Sequence, residues 1–182
     1  MRLFTGVDLP RAVNANLEQL LAGLRPTAHL KWSPVYNLHI TLKFIGEQPE
    51  SRMASIKEAL ARVPARKAVP ISLRGIEWMP NPHRPRLLWT SIDSPELPPL
   101  AADIDAALEP LGIGREDRAY TPHLTLARIR MPVPLDKTRD AVEQLKASNF
   151  GSFEADRFWL YLSEPGAANS IYTKLAEFPL TR

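Results

Sequence analysis

The chain repeats itself at an interval of 84 residues, and this repeat constrains its fold more than any other feature. Because the interval stays constant over about eighty residues, we interpret it as an internal duplication. Two copies of one unit pack naturally about a pseudo-two-fold axis, so that equivalent positions face each other across it. Among the residues that recur unchanged at this interval are Arg2 and Arg86, Leu3 and Leu87, His39 and His123, Thr41 and Thr125, and Leu42 and Leu126.

Hydrophobic periodicity predicts the same order of elements in both halves: strand, helix, a strand that carries a histidine, helix, strand. The predicted elements are a strand over Leu3–Leu9, a helix from Pro10 that stops near Gly23 to Pro26, a histidine strand ending at Gly46, a helix holding Met53, Ile56, Leu60 and Val63, a strand over Val69–Trp78, a strand over Leu87–Ile92, a helix from about Glu96 to Leu111, the second histidine strand, a helix from about Leu135 to Ala147, and strands over Arg157–Leu162 and Ile171–Phe178.

We therefore predict an α+β fold in which residues 1–182 form one domain. Its repeats span about 1–80 and 86–164, and a C-terminal strand covers 171–178. Two duplicated lobes related by a pseudo-two-fold axis, each a small mostly antiparallel sheet with helices on its outer face, should enclose a central cleft.

Composition excludes some classes of protein and leaves others open. The chain has no cysteine, which excludes disulfides, thiolate nucleophiles and cysteine-bound zinc. Its 23 Lys and Arg against 20 Asp and Glu give a net charge of +3, which is compatible with a polyanionic partner but is weak support for one. No apolar run is long enough to span a membrane and no secretory signal precedes the first strand. We expect a cytoplasmic monomer without membrane contact.

The two histidine strands carry the candidate chemistry. Side chains alternate between the faces of a strand, so His39 and Thr41 share one face, as do His123 and Thr125. The aliphatic residues between them then point into a core. Across a pseudo-two-fold axis the two polar pairs would meet in the cleft. In the alternative interpretation each pair lies on the solvated outside of its own lobe.

Two imidazoles with a pKa near 6.5 suit concerted general acid and general base catalysis, because one ring is neutral while the other is protonated. Threonine hydroxyls donate hydrogen bonds to an anion between the rings, and Arg128 adds a charged fork. This combination is typical of a phosphoester site. Metal binding is the rival interpretation, but neither motif contains a carboxylate or a cysteine. We predict no metal and no cofactor.

The segments His39-Ile-Thr-Leu42 and His123-Leu-Thr-Leu126 resemble the paired His-x-Thr-x signatures of the 2H phosphoesterases. More closely, the chain resembles the bacterial RNA 2',3'-cyclic phosphodiesterases, also called the 2'-5' RNA ligase family. This resemblance implies metal-independent hydrolysis of a terminal 2',3'-cyclic phosphate, on RNA or a nucleotide, to a 2'-phosphomonoester, with a reverse 2'-5' ligation. The stretches that carry it are Arg2–Phe4, Leu38–Gly46, Pro122–Arg128 and Tyr172–Pro179.

The resemblance also implies a role for each site residue. His39 would be the general acid that protonates the departing 3'-oxygen, and His123 the base that takes a proton from water, although the residues alone leave these two roles interchangeable. The phosphate would be held by Thr41, Thr125 and Arg128, and Phe44 would stack on the terminal base. The alternative function is a non-catalytic module that binds nucleotides or RNA ends.

Strand parity conflicts with two of these roles. Phe44 and Arg128 each follow their histidine by five residues, and an odd offset points them to the opposite face of a regular strand. Their roles require the strand to bulge, twist or end before that position. Without such an irregularity, Phe44 is a core residue, Arg128 is a surface cation, and Lys43 has the parity of a phosphate contact.

Overall fold

The structure is a computed structural model that describes residues 1–115 and 117–181, and it has an α+β fold with two antiparallel sheets. This confirms the predicted fold class. The helices are α1 (Arg11–Leu24), α2 (Met53–Ala61), α3 (Leu97–Leu108) and α4 (Asp136–Gln144). The strands are β1 (Arg2–Asp8), β2 (Lys31–Trp32), β3 (His39–Glu47), β4 (Val69–Met79), β5 (Leu87–Asp93), β6 (His123–Arg128), β7 (Asn149–Ala155), β8 (Arg157–Glu164) and β9 (Ile171–Pro179).

Each sheet is built from both halves of the chain. The strand order is β3-β1-β8-β9 in the first sheet and β2-β6-β5-β4-β7 in the second. Strand β8 from the second half thus pairs with β1, while β4 from the first half pairs with β5. The lobes are therefore not the sequence halves themselves, because the last strand of each repeat, β4 or β8, lies in the sheet that holds the first strand of the other. The duplication itself stays a prediction.

The helices cross between the sheets as well. Helix α1 follows β1 of the first sheet but packs against β7 of the second, and α3 follows β5 of the second but packs against β3 of the first. The apolar positions of α1 predicted from helical spacing are all buried, from Val13 to Leu24. Burying that face removes apolar surface from water, which is the main stabilising term for such a helix. No helix in the described part of the chain combines the length and apolar character needed to cross a membrane.

A β-bulge interrupts each histidine strand at equivalent positions. On β3, Gly6 pairs with Thr41 and Thr5 with Lys43, which leaves Leu42 as the extra residue. On β6, the extra residue is Leu126, which follows Leu42 by 84 positions. A bulge places two consecutive side chains on the same side and so shifts the alternation of every later residue by one. This is the irregularity that the roles of Phe44 and Arg128 require.

The bulge sends Lys43 into the core, so the alternative in which Lys43 replaces Arg128 as a phosphate contact does not apply. Lys43 is only 2% exposed. Its ammonium forms an ion pair with Asp105 on α3 and donates a hydrogen bond to the carbonyl oxygen of Gly114 at 2.7 Å. These partners compensate a charge whose burial alone would be strongly destabilising.

Gly6 allows β1 and β3 to approach closely beside this bulge. A Cβ atom at Gly6 would lie 2.8 Å from the main-chain oxygen of Ile40, which has no freedom to rotate away. We predict that Gly6→Ala lowers the free energy of unfolding by roughly 1–3 kcal/mol, because the two strands must separate to admit the methyl group. Urea denaturation measures this change.

Gly23 is the matched control, since it lies in α1 and a Cβ there meets no atom within 4 Å. The same substitution at Gly23 should raise the free energy of unfolding by up to about 1 kcal/mol through helix propensity. Equal effects at Gly6 and Gly23 would contradict the steric argument.

Candidate active site

A cleft of about 790 Å³ lies between the two sheets and contains both polar pairs. His39 and Thr41 line it from β3, and His123 and Thr125 line it from β6. Phe44 and Arg128 line the same cleft, as the bulges require. The structure thus brings together all six residues singled out from the sequence. The alternative interpretation, in which each His-Thr pair lies on the solvated outside of its own lobe, is wrong.

Both histidines are oriented in the same way by the main chain. The Nδ1 atom of His39 donates to the carbonyl oxygen of Asn37 at 2.7 Å, and Nδ1 of His123 donates to the carbonyl oxygen of Thr121 at 2.8 Å. Because a carbonyl oxygen only accepts, these bonds assign the proton to Nδ1 and leave Nε2 as the acceptor in the neutral ring. The Thr41 hydroxyl lies 3.1 Å from Nε2 of His39 and donates to it when that ring is neutral.

The surroundings of both rings oppose protonation. Burial lowers the pKa of His39 below 6.5, its bond to Asn37 raises it, and the charges of His123 and Arg128 lower it further. Burial also lowers the pKa of His123, with a raising contribution from Thr121 and a lowering one from Arg128. Since a charge on His123 disfavours a charge on His39, the pair tends to hold one proton rather than two.

Aromatic rings fix the two imidazoles against opposite walls. His123 stacks on Trp89 with 4.0 Å between ring centroids. His39 lies 4.8 Å from the Phe4 ring and meets the Tyr172 ring edge-on at 5.1 Å. Sequence reasoning assigned no role to these aromatic neighbours. The position of Trp89 opposite Thr125 could have indicated its contact with His123 only after the pairing of β5 with β6 was known.

Each wall is also tied to the other half of the chain behind its threonine. The Tyr120 hydroxyl donates to the main-chain oxygen of Thr41 at 2.8 Å, and the Ser33 hydroxyl donates to that of Thr125 at 3.0 Å. Burial raises the pKa of Tyr120, so its phenol remains a neutral donor. Sequence reasoning missed Tyr120, although Tyr36 and Tyr120 recur at the 84-residue interval.

The cleft is electropositive. No Asp or Glu among the described residues lines it, and none of its five cationic side chains forms an ion pair with another described residue. Clustered charges of one sign repel one another and attract a ligand of the opposite sign. The five cations are Arg2, Lys31, Arg86, Arg128 and Arg130.

The described residues do not form the donor cluster that a metal ion needs. Within the ranges 1–115 and 117–181, no three His, Cys, Asp or Glu side chains lie together as a metal site would need. In the cleft itself, the nitrogen donors are the two histidines, whose Nδ1 atoms are engaged by carbonyl oxygens. The donor set that lines the cleft therefore fits an anion better than a cation.

The sequence is similar to those of known phosphoesterases along nearly its whole length. A profile of the family described as LigT like Phosphoesterase matches residues 7–89 and 92–172. A protein of Archaeoglobus fulgidus named RNA 2',3'-cyclic phosphodiesterase is 33% identical over 179 residues, covering 98% of this chain and 99% of that one. A protein of the same name from Methanocaldococcus jannaschii is 32% identical over 178 residues, covering 98% and 100%.

Solved structures give the same result. The crystal structure of a Thermus thermophilus protein, TT0787, matches with a TM-score of 0.83 at 31% identity, covering 99% of this chain and 98% of that one. A structure of E. coli LigT matches in fold, with a TM-score of 0.79 at 24% identity over 100% and 98% of the two chains. The chain described here belongs to the LigT-like phosphoesterase family.

Proposed function

We propose that this phosphoesterase opens the 2',3'-cyclic phosphate at RNA ends and leaves a 2'-phosphomonoester, with His39 and His123 as its acid and base. The observation that carries this proposal is the meeting of both His-Thr pairs in one cationic cleft without carboxylates among its described lining residues. The names of relatives about one third identical over the full chain support the substrate. All six site residues come from one chain, so the proposed reaction needs no residue of a second subunit.

The reaction needs one proton removed and one proton delivered. Water attacks phosphorus while Nε2 of His123 takes its proton, so that a new P–O bond forms. The bond from phosphorus to the 3'-oxygen breaks, and that oxygen receives the proton held on Nε2 of His39. The bond to the 2'-oxygen stays intact. If the 5'-hydroxyl of a second RNA end replaces water, the same steps give a 2'-5' linkage.

The remaining polar groups neutralise the phosphate. Arg128 presents a charged fork to the non-bridging oxygens, and the Thr41 and Thr125 hydroxyls donate to them. Preorganised donors of this kind stabilise the charge that develops on phosphorus in the transition state. Because the surrounding charges repel a divalent cation, we propose that the reaction proceeds without a metal.

Each histidine is needed for one proton transfer in the proposed reaction. His39→Ala and His123→Ala should each lower kcat by about 10²–10⁴, because each removes one proton transfer. Wild-type activity on a cyclic-phosphate oligonucleotide should persist in excess EDTA, measured by separation of the 2'-phosphate product. Turnover that survives both substitutions, or that chelation abolishes, would contradict the mechanism. Binding without turnover by the wild-type chain would favour the non-catalytic alternative.

A substrate whose 3'-oxygen is replaced by sulfur distinguishes the general acid from the general base, because a thiolate leaves without protonation. We expect this substrate to restore most of the activity of the variant that lacks the acid, His39→Ala, but little of that of His123→Ala. The opposite pattern would exchange the two roles while leaving the site intact.

The pH dependence follows from the lowered pKa values. The base must be neutral, so the rate rises as pH passes its pKa; the acid must be protonated, so the rate falls above its pKa. Because burial lowers both values below 6.5, the bell-shaped profile of kcat/KM should have its maximum below pH 6.5. Bound phosphate favours the charged rings, so the kcat profile should lie at higher pH. A monotonic rise of kcat/KM from pH 5 to 9 would rule out the pair.

Phe44 is proposed to stack on the terminal base. Its ring is 56% exposed at the cleft, so its removal should cost little stability. Loss of one stacking contact of about 1–3 kcal/mol predicts that Phe44→Ala lowers kcat/KM by roughly 5- to 150-fold, to a similar extent for all four bases. Phe44→Trp is the matched control and should retain activity. A loss confined to one base would contradict stacking.

A further inference from the structure

We propose that the cleft also binds the RNA strand upstream of its terminal phosphate, through Lys31, Arg86 and Arg130, so that oligonucleotides rather than mononucleotides are the preferred substrate. We call these three residues the rim cations. The inference rests on the proposed function, because it concerns the strand attached to the phosphate that the histidines act on. It adds a binding tract and a substrate preference to that function.

The charge of the cleft exceeds what one phosphate needs. A 2',3'-cyclic phosphodiester carries a single negative charge. Arg128 matches it, since its charge acts on both imidazoles and therefore lies near the place where the phosphate binds. The rim cations and Arg2 remain without a counter-charge among the described residues that line the cleft. A polyanion supplies those charges, whereas a mononucleotide does not.

The cations are concentrated here rather than spread over the surface. The chain has 23 Lys and Arg and 20 Asp and Glu. Without the five cations of the cleft, 18 basic residues face 20 acidic ones, so the rest of the protein is slightly negative. A basic patch on an otherwise acidic chain is the electrostatic footprint expected for a nucleic-acid tract.

The rim cations lie together at the end of β6. Lys31 on β2 is the register partner of Arg128, and the amide of Ile129 donates to the main-chain oxygen of Arg86 at 2.8 Å. Arg130 is the next residue along. Strands rise about 3.3 Å per residue, so the five positions of β6 from His123 to Arg128 cover roughly 15 Å, and Arg130 lies beyond the end of this strand. That span fits several nucleotides and is too long for one phosphate.

The experiment compares a cyclic mononucleotide with a six-residue oligonucleotide that ends in the same cyclic nucleotide. The test variant is Lys31→Gln, Arg86→Gln and Arg130→Gln combined. The matched control is Arg62→Gln, Lys67→Gln and Arg74→Gln, which makes the same change in net charge at cations outside the cleft. The readouts are kcat/KM and the affinity for a fluorescent oligonucleotide ending in the 2'-phosphate, each as a function of salt.

The wild-type enzyme should prefer the oligonucleotide at least tenfold, and the rim variant should lose most of that preference. Each phosphate contact on a single strand contributes about 0.7 to the slope of log affinity against log salt, so the rim variant should have a slope shallower by about 2. The control variant should keep both the preference and the slope.

The inference would be overturned if the rim and control variants changed kcat/KM and affinity equally. It would also be overturned if the wild type were equally efficient on both substrates. Either result would leave the proposed reaction intact. If neither substrate reacts but the oligonucleotide binds through the rim cations, the proposed reaction fails and the binding tract stands. Displacement of the oligonucleotide by a poly-glutamate peptide at equal charge would also overturn the inference, because any polyanion would then suffice.

Discussion

The exchange of strands between the halves is the constraint on which the rest of the structure depends. Neither sheet is complete without β4 or β8 from the other half, so each wall of the cleft is a hydrogen-bonded sheet built from both halves of the chain. The helices that cross between the sheets and the two hydroxyls that bond to Thr41 and Thr125 add further ties. Packing and hydrogen bonds in the core therefore hold the two histidine strands in place.

The two bulges convert this scaffold into a site. An uninterrupted strand would turn Lys43 on β3 and Ala127 on β6 towards the cleft after each polar pair. With the extra residue, each wall presents a third cleft-facing position, occupied by Phe44 on one side and by Arg128 on the other. The same shift buries Lys43, whose partner Asp105 lies on α3 behind the sheet. One local irregularity thus serves the core and the site together.

Much of this was predictable from the sequence. Strand alternation and the 84-residue interval identified the histidines and threonines, since those patterns depend on local geometry and on residue identity. The bulges were left open because nothing within Leu42-Lys43 distinguishes them from a regular strand; the ion pair that favours the bulge involves a residue far along the chain, on α3. Strand β7 was missed because Gly151 and Ser152 interrupt its apolar pattern.

The strand exchange was also not predicted, although a signal for it existed. The turn around Pro80 to Pro85 joins β4 directly to β5, and strands joined by a short turn pair as antiparallel neighbours. Periodicity identifies an element but not its partner, so topology requires this separate argument. The duplication still rests on the recurring residues and is supported by the matching positions of the bulges.

Phe44 and Arg128 occupy equivalent positions, and their difference has a consequence for how a ligand enters. A cleft with two identical walls would be two-fold symmetric and would accept a nucleotide in either of two opposed poses. Only one of these poses would present the scissile bond to the correct ring. An aromatic surface facing a guanidinium removes that degeneracy. Under the proposed function, divergence at this pair of sites would give the cleft a direction and would determine which imidazole acts as the acid and which as the base.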